Sequence, residues 1–134
     1  MKKNLLLLIP ALALVFFVAS CSKSDTTPPA NNAAEGKWTG GYNNNIGGPV
    51  NYFAVIFSAG NAVRIEANSP TVPDIANGTW SIVGDSIIAH YTYAATATSF
   101  SLAGKYNSSS NLINGTIGIG SNTSGSYVFS VTKN

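Results

Sequence analysis

Residues 78–93 read GTWSIVGDSIIAHYTY, and their pattern predicts an antiparallel β-hairpin. Apolar residues recur at every second position on both sides of the Gly84-Asp85 pair, which is the period of a β-strand. Gly84-Asp85 itself is a two-residue signal for a tight turn. Apolar residues at helical spacing behind a capping residue are not found after residue 35, so the sequence predicts an all-β domain.

The same alternation recurs in six further segments, with turn signals about every 8–12 residues between them. The predicted strands are residues 37–43, 50–58, 61–67, 78–83, 86–93, 98–106, 112–119 and 126–132. Short connections favour an eight-stranded antiparallel up-and-down barrel, because closure removes the exposed edges of an open sheet. A two-sheet β-sandwich remains the alternative, since short alternating strands also fit that architecture.

Residues 1–20 have the pattern of a secretory signal peptide. Lys2 and Lys3 precede an apolar run over residues 5–19, and small residues follow it. The run has 15 residues and contains Pro10, whereas a membrane-spanning helix needs about 20 apolar residues. We therefore expect an exported protein whose first 20 residues are removed.

The tetrapeptide Val18-Ala19-Ser20-Cys21 resembles the lipobox of bacterial lipoproteins, and Cys21 is the only cysteine of the chain. In that family the thiol receives a diacylglycerol and the signal peptidase cuts before the cysteine, so the resemblance implies lipidation of Cys21. Each buried methylene contributes about 0.8 kcal/mol, and two or more acyl chains anchor a protein stably. The expected partner is therefore a membrane of the bacterial cell envelope, at the outer membrane, with the periplasmic or surface face left open.

Residues 21–34 read CSKSDTTPPANNAA and predict a lipidated cysteine followed by a disordered tether. Their low hydrophobicity cannot bury enough surface to fold, and Pro28-Pro29 favours an extended path. The barrel domain is then residues 35–134, enough for one core.

The charge of the chain excludes several function classes. Seven basic and five acidic residues give a net charge of +2, and removing Lys2 and Lys3 with the leader leaves five of each. A neutral domain lacks the basic surface that nucleic-acid binding requires. One cysteine and one histidine exclude a disulfide framework and a Cys/His zinc site.

Few residues of the domain carry groups for catalysis, which needs positioned acids, bases or nucleophiles. Asp74 and Asp85 are expected in a loop and a turn, and Glu66 beside Arg64 as solvated charges. His90 is expected to face solvent or a cross-strand neighbour, and a single histidine gives no triad. We therefore expect no enzyme activity, no catalytic residue, no metal and no cofactor.

Residues 36–42 read GKWTGGY, a GxWxGxY opening that resembles the start of lipocalins and of the wider calycin group, including avidin-like barrels. The short motifs at residues 78–80, 84–87, 102–106 and 114–117 look like strand endings of small lipocalin-like lipoproteins. The resemblance implies an eight-stranded barrel around one small ligand. The chain departs from lipocalins in its shorter length and in lacking a C-terminal helical pattern and a cysteine pair.

Aromatic residues are frequent in the domain, and three roles are open for them: core packing, a ligand cavity with tyrosine hydroxyls orienting the ligand, or contact on an outer sheet face. In the first function hypothesis, Trp38, Phe53, Phe57 and Trp80 line a cavity for a small apolar or amphipathic molecule. In the alternative, a solid barrel contacts envelope protein or glycan through its outer surface. The sequence identifies no particular protein partner.

Overall fold

The alternating segments form eight β-strands in a computed structural model that describes residues 33–44, 47–125 and 127–134. The strands are β1 (Gly36–Asn44), β2 (Asn51–Phe57), β3 (Ala62–Asn68), β4 (Asp74–Val83), β5 (Ser86–Tyr93), β6 (Ser99–Asn107), β7 (Leu112–Ile119) and β8 (Tyr127–Lys133). The predicted leader, the lipidation site Cys21 and the tether as far as residue 32 lie outside the described residues. Within the described ranges, no helix has the length and apolar character needed to cross a membrane.

Each strand pairs antiparallel with its neighbours in the chain, and β1 also pairs with β8. Trp38 on β1, for example, lies opposite Val55 of β2 on one side and Lys133 of β8 on the other. The closed up-and-down barrel predicted from the sequence is confirmed, and the two-sheet sandwich is excluded.

Strand β4 differs most from its predicted bounds, because it begins at Asp74, four residues before the predicted start. Asp74 pairs with Ala67 at the end of β3, so its predicted place in a loop is wrong. The sequence signal failed because proline and aspartate are both depleted in strands, and Pro73-Asp74 therefore indicated a loop. The result places a carboxylate at the first position of a barrel strand.

Two glycines let neighbouring strands approach each other closely. A Cβ atom on Gly78 of β4 would collide with the backbone carbonyl of His90 on β5. A Cβ atom on Gly115 of β7 would collide in the same way with the carbonyl of Ala103 on β6. These positions fit the role of strand glycines where backbones come together.

The up-and-down order gives the barrel two different ends. We call the end at which β1 begins and β8 ends the closed end; it carries the connections after β2, β4 and β6. We call the opposite end the mouth; it carries the connections after β1, β3, β5 and β7. Inward-facing aromatic side chains occur at both ends, but their surroundings differ between the two ends.

Candidate functional site

Aromatic rings fill the closed end of the barrel. The rings of Phe57 and Trp80 pack with their centroids 4.6 Å apart, and Trp38 meets Tyr106 edge to face at 5.7 Å. Trp38, Phe57 and Trp80 are each buried. The indole N–H of Trp80 donates a hydrogen bond of 3.1 Å to the carbonyl of Ser58, so this ring is fixed by the chain around it.

The segment that enters β1 covers the same end. Ala34 is buried, and its carbonyl accepts a 2.7 Å hydrogen bond from the indole N–H of Trp38. The ammonium of Lys133 lies 5.6 Å from the centroid of the Trp38 ring and donates to the carbonyl of Ala33 at 2.8 Å. The Tyr106 hydroxyl donates to that carbonyl at 3.3 Å. Ala33 and Ala34, the first two described residues, therefore contact the barrel and cover this end.

At the mouth the barrel holds a cavity of about 500 Å³, within the size range of small-molecule sites. It is lined by Tyr42, Phe53, Asn68, Pro73, Asp74, Ile75, Tyr91, Tyr93, Ala94, Ala95, Thr96, Phe100, Ile117 and Tyr127. Most of these residues come from the strand ends that meet at the mouth. The lining therefore combines aromatic and aliphatic surface with a few polar groups.

Three of the lining rings form one cluster on β5 and β6. Tyr93 meets both Tyr91 and Phe100 edge to face, with centroid distances of 5.9 and 5.7 Å. Tyr91 and Phe100 are cross-strand partners whose rings stack at 6.1 Å. Such pairs contribute about 0.5–1.5 kcal/mol beyond the area that they bury. We call these three residues the β5–β6 cluster.

A second cluster lies on β1, β2 and β8. The Tyr42 ring contacts Phe53 at 5.6 Å and Tyr127 at 5.9 Å, and Phe53 in turn contacts Phe129 at 5.7 Å. In a closed barrel of eight strands, β1 lies opposite β5. The two clusters therefore form opposite walls of the mouth, with the cavity between them.

A hydrogen-bonded chain of polar groups lies on the wall between the clusters. The Tyr42 hydroxyl donates to Asn68 Oδ1 at 2.6 Å, and Asn68 Nδ2 donates to Asp74 Oδ2 at 2.5 Å. Asp74 belongs to the inward-facing set of β4, which continues with the buried residues Ala76 and Trp80. The Asn68 amide therefore fixes a carboxylate at the rim of the cavity.

Three tyrosine hydroxyls of the mouth have no hydrogen-bond partner within the described part of the chain: those of Tyr91, Tyr93 and Tyr127. Tyr91 is only 3% exposed. Burial raises the pKa of both Tyr91 and Tyr93 well above the ordinary tyrosine value, so both hydroxyls stay protonated at neutral pH. Each can donate a hydrogen bond to a molecule in the cavity.

The four rings that the sequence analysis assigned to a ligand separate between the two ends. Phe53 lines the mouth, where it is buried below Tyr42. Trp38, Phe57 and Trp80 lie together at the closed end, outside the lining of that cavity. The structure therefore brings three of the predicted residues into the packed core and one into the candidate site.

Four tyrosines and one phenylalanine near strand ends line the cavity, and the prediction did not assign them to a ligand. Tyr42, Tyr91 and Tyr93 end odd-numbered strands, and Phe100 and Tyr127 begin even-numbered ones. In an up-and-down barrel those ends all meet on the same side. Because odd- and even-numbered strands run in opposite directions, the order of the predicted strands could have placed these rings at the same end of the barrel.

The exposed His90 and the buried Ser101 make a short contact on the outward-facing side of β5 and β6. The pair are cross-strand neighbours, and His90 Nδ1 lies 2.6 Å from Ser101 Oγ. The single hydroxyl hydrogen of Ser101 goes to the carbonyl of Gly120 at 2.5 Å, so the Nδ1 hydrogen of His90 must be the donor in the first bond. This direction is opposite to that of a serine activated by a histidine base. The expected cross-strand contact of His90 is confirmed.

No group of three or more His, Cys, Asp or Glu side chains is placed to hold a metal ion among residues 33–44, 47–125 and 127–134. The mouth cavity, with its rings, hydroxyls and one carboxylate, is thus the candidate site. Comparison of the chain with protein-family models, with curated proteins and with solved structures finds no match.

Proposed function

We propose that the barrel binds a small apolar or amphipathic molecule in its mouth. The observation that carries this proposal is a cavity of about 500 Å³ between two walls of aromatic rings. Such a cavity exposes apolar surface that a ligand could remove from water, at about 25 cal/mol per Å². The hydroxyls of Tyr91 and Tyr93, which have no partner among the described residues, would orient the polar part of the ligand.

We further propose that the protein is a lipoprotein of the bacterial envelope, held at the outer membrane through Cys21, and that it acts by binding without catalysis. The lipobox resemblance supports the anchor. The geometry of the barrel is compatible with it, because Ala33 and Ala34 enter at the closed end. A tether attached there would not block the mouth, which lies at the opposite end of the barrel.

Binding is tested by calorimetric titration of 1-octanol into the protein and into a variant whose cavity is partly filled. Ile117 is 4% exposed and lines the cavity, so Ile117→Trp places a large ring inside it. The added ring occupies space that octanol would use, so we expect octanol affinity to fall about tenfold or more. Absence of octanol binding to the wild-type protein would contradict the proposal.

Val83→Trp is the matched control, because Val83 is 73% exposed near the closed end. It adds the same ring outside the cavity, and we expect octanol affinity to stay as in the wild type. Equal losses in both variants would show that the effect is not local to the mouth.

Anchoring is tested by Cys21→Ser in cells, followed by separation of membrane and soluble fractions. The proposal expects the wild-type protein in the membrane fraction and the variant in the soluble fraction. Unchanged membrane association of the variant would contradict lipidation at Cys21.

A second candidate function is contact with an envelope protein, and exposed aliphatic residues favour it. Val50, Val72 and Ile119 are 71%, 81% and 68% exposed, and all three lie at the mouth end. If octanol fails to bind and Val72→Ser abolishes recruitment of an envelope protein crosslinked to the wild type, this second function replaces the first.

A further inference from the structure

The charges of the barrel are distributed unequally between its two ends. All lysine and arginine residues in the described part of the chain lie in the half of their strand nearer the closed end. They are Lys37, Arg64, Lys105 and Lys133. Two of them, Lys37 and Arg64, form ion pairs with Glu66, at 2.8 and 3.2 Å. The positive charge of the described chain is therefore held away from the mouth.

Asp74 is the one ionised side chain among the described residues that line the mouth cavity. Its neighbour in the hydrogen-bonded chain, Asn68, is a neutral amide. The Asp74 carboxyl group therefore has no cationic partner in the described part of the chain. Its counterpart at the closed end, Asp85, is paired with Lys105 at 2.9 Å.

Aromatic faces add to the same electrostatic preference. The carboxylate of Asp74 lies on the wall between the β5–β6 cluster and the cluster around Tyr42. Burial is the main cause of the raised pKa of Tyr42 and of Tyr93, and the charge of Asp74 raises both further. Tyrosine and phenylalanine rings attract cations through the negative potential of their faces. One carboxylate between two groups of rings thus combines both attractions.

Resting on the proposed function of this cavity, we propose that the mouth selects organic cations, namely molecules with an amine or quaternary ammonium group on a small apolar body. The apolar body lies between the ring clusters and the cationic group beside Asp74. An anionic amphiphile of the same size brings its charge against the same carboxylate and is disfavoured.

The test compares three probes that share one alkyl chain: octyltrimethylammonium, 1-octanol and octanoate. Each is titrated into the full chain below its micelle-forming concentration at neutral pH and low salt. One charge contact at an accessible site, with its ring contacts, is worth about 1 kcal/mol. We expect the cation to bind about fivefold more tightly than octanol, and octanoate about fivefold more weakly.

Asp74→Asn removes the charge and keeps the shape and an acceptor for Asn68. We expect the three affinities to converge to within about twofold of one another. Asp85→Asn makes the same chemical change at the closed end and should leave the wild-type order intact. In the wild type, added salt should reduce the preference for the cation, because screening weakens accessible charge contacts.

The outcomes separate this inference from the proposed function. If none of the three probes binds the wild type, both are overturned. If octanol binds and octanoate equals or exceeds the cation, the cation preference alone is overturned. The same holds if the preference survives Asp74→Asn unchanged.

Discussion

The two ends of the barrel contain similar rings in different surroundings. At the closed end, the indole N–H groups of Trp38 and Trp80 donate to backbone carbonyls, and the segment before β1 covers them. At the mouth, the hydroxyls of Tyr91 and Tyr93 have no partner in the described residues, and a cavity lies beside them. The difference shows that hydrogen-bond satisfaction and coverage by the chain, not aromatic content, separate a packed core from an open cavity.

Truncating one ring at each end should give the largest difference in stability between the two ends. Trp80→Ala removes a buried ring packed on Phe57 and should lower the free energy of unfolding by about 3–5 kcal/mol. Tyr93 is only partly buried, so Tyr93→Ala should cost at most about 2 kcal/mol. Urea unfolding followed by circular dichroism measures both variants. Equal losses would show that the mouth is packed as tightly as the closed end.

Alkaline pH should lower the stability of the barrel through the buried tyrosine Tyr91 at the mouth. Burial raises the pKa of Tyr91 above its ordinary value of about 10. The neutral hydroxyl therefore contributes stability that is fully present below pH 10 and is lost as the pH rises toward the folded pKa. Tyr91→Phe removes this contribution, so the stability of the variant should decline less steeply above pH 10 than that of the wild type. Identical slopes in urea unfolding across that range would contradict the burial of this hydroxyl.

The smallest expected effects come from removing single polar atoms. Tyr106→Phe deletes the hydroxyl that donates to the Ala33 carbonyl at the closed end, and an intramolecular hydrogen bond contributes about 1 kcal/mol. Tyr127→Phe deletes a hydroxyl with no partner in the described chain and should change stability by less than about 0.5 kcal/mol. Thermal unfolding of the two variants compares them directly. A larger cost for Tyr127→Phe would reverse the assignment of the two ends.

The fold could be predicted from the sequence because the alternation of apolar and polar residues shows which face of each strand points inward. In β3, the predicted inward residues Val63, Ile65 and Ala67 are all buried. In β5, the predicted bounds coincide with Ser86–Tyr93. Period-two alternation and turn residues are local signals, and closure of a meander follows from the pairing of its first and last strands.

The candidate site was harder to predict, because it depends on what lies around each ring. Trp38 and Trp80 are the largest rings and are predicted to line the cavity, yet their indole N–H groups donate to the carbonyls of Ala34 and Ser58. The position of Asp74 at the start of β4 was not predicted, because Pro73 indicated a loop. Neither the coverage of a ring by another segment of the chain nor the start of a strand beside proline has a local sequence signal.

Locating a bound probe along the whole chain tests the two-ended account most directly. Octanol is titrated into isotope-labelled protein, and backbone amide shifts are followed by two-dimensional NMR. We expect shifts concentrated at the mouth ends of the strands, around Phe53, Tyr93 and Phe100, with the closed end around Trp38 and Trp80 unchanged. Shifts centred on the closed end, or spread evenly over the outer surface, would contradict it.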